Sequence, residues 1–389
     1  MKKAYLDHAS TTPTDPRVME AMLPYLSQIF GNPQSLHEWG QEAKAALEEA
    51  RGKVASLMGA TAEEIYFTSS GTEANNFALK GMTWVQERRG KHVITSQIEH
   101  HSVLHSLRAL EREGFTFTQV PVDSQGLIDP AAVEEAITEE TVLISVMHAN
   151  GEVGTIEPIA EIAKIAKRHG IPFHTDGVAT VGTIPVDVEA LGVDLMSLAG
   201  HQFYGPKGVG TLYIRRGTRI LPFIDGGIQE GGRRAGTENM AGIVGLGVAA
   251  ELAQGEMSPR IAHLTLLRDR LREGLSKRID HLYLTGHPQS RLPGHVSMVI
   301  EYVEGEALLL SLNLKGVAAS SGSACTSQAL KASHVLEALG IDPALAQGSL
   351  LLTLGKDTTS QEVDYLLEVL PPIVERLREL SPLYKRGEP

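Results

Sequence analysis

Several short segments carry side chains with chemical reach. Thr68-Ser-Ser-Gly-Thr-Glu-Ala-Asn75 leads small residues into a helical pattern. Gly71 lets a backbone approach closely, Thr72 offers a hydroxyl, and the unpaired N–H groups of a helix start attract an anion such as phosphate. An ordinary strand-to-helix turn capped by Thr72 has the same pattern. His174-Thr-Asp176 closes an apolar run, so Asp176 projects from a strand end, where an acid either holds a protonated ring nitrogen of a cofactor or caps a turn. Glu99-His100-His101 and Gly200-His201-Gln202 follow two further apolar runs. His100 there either stacks on and protonates a bound molecule or is hydrogen-bonded structure. No His-x3-His pair enclosing a carboxylate emerges, so no metal site is expected. Cys325 lies in Ser320-Ser-Gly-Ser-Ala-Cys-Thr-Ser327. A lone cysteine is ordinarily buried and inert, but these small, polar neighbours cannot pack a core, and the residue reads as a reactive thiol on an exposed tether. Arg233-Arg-Ala-Gly-Thr-Glu-Asn239 sets two cations beside a glycine turn and Thr237, suited to closing over an anion or meeting a second subunit, or else a solvated loop.

Alternating elements position these residues. Glu64 to Phe67, His92 to Ser96, Thr141 to Met147, Ile171 to His174, Asp194 to Leu198 and Gly210 to Ile214 read as strands, with amphipathic stretches Thr72 to Arg88, Ser102 to Glu113 and Ile159 to Arg168 between them. That alternation predicts right-handed crossovers, a mostly parallel sheet between helices, and ligands gathered at the strand C-termini. Gln254-Gly-Glu-Met-Ser-Pro259 reads as a break, followed by a helix from Ile261 to Arg278, a strand from Val296 to Tyr302 and two more helices, which predicts a smaller α+β domain. Gly205 to Gly210 and Gly226 to Gly236 read as long loops of the kind that carry function.

The 389 residues allow two or three domains and a sizeable core. One cysteine excludes an internal disulfide. A net charge of −12 without a basic block argues against nucleic acid and anionic lipid as partners. No apolar run reaches membrane-spanning length, and Met1-Lys-Lys-Ala-Tyr-Leu-Asp7 lacks a signal-type apolar region, so the expected location is cytoplasmic.

Tyr5-Leu-Asp-His-Ala-Ser-Thr-Thr-Pro13, Gly31-Asn-Pro-Gln-Ser-Leu-His37, Phe67 to Asn76, Ile98-Glu-His-His101, His201-Gln-Phe-Tyr-Gly-Pro-Lys-Gly-Val-Gly210, Gly236-Thr-Glu-Asn239 and Ser320 to Ser327 closely resemble the cysteine desulfurases. These are NifS/IscS-like class V aminotransferases on the fold-type I pyridoxal phosphate (PLP) scaffold, and the match runs in order from residue 5 to about 365. The resemblance implies a large domain over 16–255, with a mostly parallel seven-stranded sheet, and a small α+β domain made of 1–15 and 256–389. It implies a homodimer that releases sulfur from L-cysteine as a Cys325 persulfide and passes it to an acceptor protein for iron–sulfur cluster or thiolation pathways. By the same resemblance Gly71, Thr72 and His201 meet the cofactor phosphate and Thr237 arrives from the other subunit. Asp176 holds the pyridine nitrogen, and His100 stacks on the ring and moves protons.

The departures from the family pattern fall on that same site. Its Schiff-base lysine, in Ser-Ala-His-Lys, is here Gln202, and an amide forms no Schiff base and has no useful basicity near neutrality. Ala199 replaces a phosphate-binding serine and Ala179 a glutamine bonded to the cofactor's phenolic oxygen; Gly151 and Leu351 replace the asparagine and arginine that hold the substrate carboxylate. The expectation is a catalytically impaired or repurposed protein with no covalent PLP. The alternatives are an active desulfurase that uses another amine, such as Lys207 or Lys356, and a non-catalytic dimer that binds another ligand or relays sulfur, including a mixed dimer with a lysine-bearing paralogue.

Overall fold

Short apolar runs flanked by amphipathic stretches fold into one seven-stranded sheet with helices on both faces. The computed structural model describes residues 3–321, 332–382 and 384. Along these residues the strands are β1 (Ala4–Tyr5), β2 (Ile65–Thr68), β3 (His92–Ser96), β4 (Thr116–Val120), β5 (Thr141–Ser145), β6 (Phe173–Asp176), β7 (Leu195–Ala199), β8 (Gly210–Ile214), β9 (Leu282–Leu284), β10 (His295–Ile300), β11 (Val317–Ala318) and β12 (Ser349–Thr353). The large sheet has the order β2-β8-β7-β6-β5-β3-β4. β8 runs antiparallel to both neighbours and the other pairings are parallel. β2 therefore points the same way as β7, and six strands end at one edge. Strands β3, β5, β7 and β8 are buried along their whole length, which is why they read as continuous apolar runs.

A second unit holds the antiparallel sheet β12-β10-β9 and the parallel pair β1-β11. Ala4 and Leu6 pack there with Leu267, Leu271, Met298, Leu352 and Leu366, in a core separate from the one beneath the large sheet. Both chain ends thus close one core.

Boundary expectations need correction at several points. The break read at Gln254–Pro259 is absent: one helix runs from Met240 to Ser276 through Pro259. Its first half packs in the large core through Ile243, Leu246 and Ala250, its second in the small core through Leu264, Leu267 and Leu271. The composition shift marks a change of core. The strand read as Thr141–Met147 ends at Ser145, because the Met147 N–H is taken by the Glu99 side chain at 2.8 Å. The run read as Ile171–His174 pairs as Phe173–Asp176. The sequence reading omitted the helix Glu38–Met58 and the edge strand β4, whose Thr-Phe-Thr-Gln-Val is largely exposed and lacks an apolar run.

Candidate cofactor and active site

Four strand ends deliver the predicted residues to one cavity of about 480 Å³, lined by Gly71, Thr72, His100, Asp176, His201 and Gln202. After β2 the helix Gly71–Gln86 starts at Ser70, whose hydroxyl accepts the Glu73 N–H at 3.1 Å. This cap leaves the N–H groups of the first turn facing the cavity end. Gly71 is required by packing: a Cβ there would stand 2.5 Å from Val178 Cγ2.

Asp176 ends β6 and is buried, and burial raises its pKa against the opposing pull of His100 and its hydrogen bonds. Its Oδ1 accepts the Val178 N–H at 2.9 Å and its Oδ2 accepts Asn75 Nδ2–H at 2.6 Å. Asn75 also donates to Ser102 Oγ at 2.9 Å, and Ser102 Oγ lies 2.7 Å from His100 Nδ1. Because His100 Nδ1 accepts the Ser102 backbone N–H at 3.1 Å, the ring proton belongs on Nε2. His100 is thus both the cap of the helix His101–Glu111 and the end of a relay that starts at Asp176. Asn75 and Ser102 were not singled out from sequence. The available signal was the spacing of Thr72 and Asn75, three apart on one helix face.

His201 and Gln202 sit in a single turn after β7. The N-terminal segment crosses this turn: the Thr12 N–H and hydroxyl both donate to the His201 carbonyl, at 3.0 and 2.7 Å, and Gln202 Nε2–H donates to the Ala9 carbonyl at 2.8 Å. His201 Nδ1 faces Thr11 Oγ1 at 3.2 Å, and burial, with nearby Lys207, lowers its pKa toward the neutral ring. All of Ala179, Ala199, Gly151 and Leu351 also line the cavity.

Among the described residues the only lysine or arginine side chains in the lining are Arg260 and Lys356. Lys356 Nζ pairs with Asp357 at 2.8 Å and Asp15 at 3.4 Å, and Arg260 pairs with Glu256 at 2.6 Å. Lys207 lies outside the lining and donates to the Thr12 carbonyl at 3.3 Å. Thr237 is exposed and does not line the cavity, and Cys325 lies outside the described residues. The walls hold further acids that sequence reasoning missed. Glu99 accepts the Ser96 hydroxyl at 2.7 Å and is pushed up to about 8 by burial, and Glu152 accepts the Ser333 hydroxyl at 2.7 Å and is pushed up to about 7 by burial.

The donor set suits the phosphate and ring of PLP: first-turn N–H groups with Thr72 and His201 at one end, a buried carboxylate at Asp176 for a ring N–H, and the His100 ring alongside. When bound, that group supplies an electron sink for carbanion chemistry.

The class-V aminotransferase family model matches residues 4–366. Over 385 residues the chain is 53% identical to the cysteine desulfurase IscS of Dictyoglomus turgidum, covering 99% of this chain and 98% of that protein. It is also 53% identical over 382 residues to the IscS of Methanosarcina thermophila, covering 98% and 94%. A solved NifS-like protein superposes with a TM-score of 0.90 at 39% identity, covering 97% of this chain and 99% of that one. The sheet order and flanking helices are accordingly those of the fold-type I PLP scaffold. With motifs, fold and relatives in agreement, the chain belongs to the class-V aminotransferases and, within them, to the IscS/NifS-like cysteine desulfurases.

Proposed function

We propose that this protein keeps the cofactor cradle of its family but holds PLP without a covalent link, and that release of sulfur from free L-cysteine is lost or strongly reduced. One observation carries the reading: at the end of β7 the side chain is the Gln202 amide, one N–H of which is donated to the Ala9 carbonyl. A carboxamide neither condenses with an aldehyde nor exchanges a substrate proton, and the missing general base alone accounts for about 10²–10⁴-fold in rate. Leu351 and Gly151 add to this, because neither meets a carboxylate with a charge or a hydrogen-bonding side chain. Gly71, Thr72 and His201 hold the phosphate, Asp176 the ring nitrogen through its Asn75-supported carboxylate, and His100 the ring face.

In this reading Cys325 carries sulfur received from elsewhere, and the assembly is a homodimer or a mixed dimer with a lysine-bearing paralogue. A subunit contact is supported by the exposed Phe30, Leu36, Trp39 and Ile228, on segments joined by the Gln34–Glu238 hydrogen bond of 3.2 Å, beside the loop that carries Thr237.

The shared name of the relatives favours a second reading, an active desulfurase using Lys356, which needs that amine to leave Asp15 and Asp357. Borohydride reduction of the PLP-incubated protein with peptide mapping, together with sulfide release from cysteine, decides between them. No reduced lysine adduct and no sulfide are expected; a stoichiometric adduct on any lysine overturns the proposal.

A further inference from the structure

At one end of the cavity two hydrogen-bond acceptors are buried with no donor to meet them among the described residues. Strands β10 and β12 pair His295 with Thr353 and Ser297 with Leu351, so His295 and Leu351 share one face of the small sheet, and both line the cavity. The His295 ring is buried beside the Gly151 carbonyl, while its Nε2 has no partner among the described residues. That neighbouring carbonyl favours the ring proton on Nδ1, which leaves a lone pair on Nε2. Glu152, on the loop held by the Asn150 side chain, accepts Ser333 with Oε2 at 2.7 Å and leaves Oε1 buried and unpartnered. Leu351 supplies an apolar wall, and a Cβ at Gly151 would meet nothing within 4 Å. The two lining cations, Arg260 and Lys356, both stack on Tyr204 and are held there by Glu256, Asp15 and Asp357.

Two unsatisfied acceptors, one of them a carboxylate, ask for N–H donors and positive charge; an apolar wall asks for a short alkyl chain. Among the described residues no cation stands there to meet a carboxylate, which would sit against Glu152. We infer that this end of the cavity takes a short primary alkylamine lacking a carboxylate, its ammonium donating to Glu152 Oε1 and His295 Nε2 and its carbon chain lying on Leu351. This rests on the reading of a site no longer built for free cysteine and names the ligand class that replaces it.

Isothermal titration of the purified protein, dialysed free of unbound coenzyme, tests it with cysteamine, ethylamine and L-cysteine. Both amines are expected to bind at least about tenfold more tightly than cysteine, a gap of about 1.4 kcal/mol. Glu152→Gln keeps an acceptor for Ser333 and removes the charge, so amine affinity falls by about tenfold or more while the circular dichroism spectrum is unchanged. Leu351→Arg reverses the preference toward cysteine. Equal or tighter binding of cysteine by the natural protein, no binding of either amine at millimolar concentration, or an unchanged amine affinity in Glu152→Gln overturns the assignment. Because the borohydride experiment reads covalent PLP and this one reads ligand charge, either proposal can fail while the other stands.

Discussion

Gln202 meets the cavity with an amide that donates one of its two N–H groups to Ala9, and the same turn carries His201, tied to Thr11 and Thr12. Replacing one side chain therefore tests the covalent link separately from turnover. Gln202→Lys is expected to give a borohydride-trapped adduct at position 202 in the PLP-incubated protein, while sulfide release from cysteine stays low. A charged hydrogen bond to a carboxylate contributes about 1.5–3 kcal/mol, and Leu351 offers none. Mass spectrometry of the reduced peptide and a sulfide assay check the two halves; robust turnover would mean that position 351 does not limit cysteine binding.

At the scale of elements, the helix Gly71–Gln86 enters the site only because its first residue has no side chain. Gly71→Ala places a Cβ 2.5 Å from Val178 Cγ2 and is expected to destabilise the protein by about 1–3 kcal/mol, the usual cost of overpacking. The double variant with Val178→Ala should recover most of that loss, read as the midpoint of urea unfolding; an additive loss would place the strain elsewhere. The Met240–Ser276 helix works at the same scale. It passes from one core into the other without interruption, so the small unit is held against the cavity by a continuous rod.

At the scale of the whole molecule, burial of acids leaves a signature in pH dependence. Burial pushes the pKa values of Glu99 and Glu157 up to about 8, far above the ordinary carboxylate range. Between about pH 4.5 and 8 the unfolded chain has released these protons and the folded chain retains them, so their contribution to stability declines as pH rises through that window and levels off above it. Glu99→Gln keeps an acceptor for Ser96 and Met147 and removes the titration. Its stability relative to the natural protein should be more favourable at pH 8 than at pH 5 by at least about 1 kcal/mol. Unfolding curves at the two pH values check this, and an identical difference at both would contradict a buried protonated Glu99. Quaternary structure belongs to this scale too. Ile228→Asp, at a side chain 76% exposed, should convert the proposed dimer to monomer in sedimentation equilibrium and leave the subunit folded; a natural protein that sediments as a monomer would remove the basis for a shared site.

By itself, the sequence determined the alternation of strands and helices, the edge at which the sheet presents its ligands, and the absence of an amine at position 202. Each of these follows from local pattern: a buried parallel strand must be apolar throughout, and the residue after it must emerge at its C-terminal end. Only the tertiary structure decided that Asp176 reaches His100 through Asn75 and Ser102, that Lys356 is held by Asp15 and Asp357, and that His295 and Glu152 share a cavity wall. The last pair lies 143 positions apart, and the Asn75–Asp176 bond spans 101 residues. Whether a polar atom finds a partner, and how far burial moves its pKa, depends on what other strands and loops bring to it, and periodicity along the chain carries no record of that.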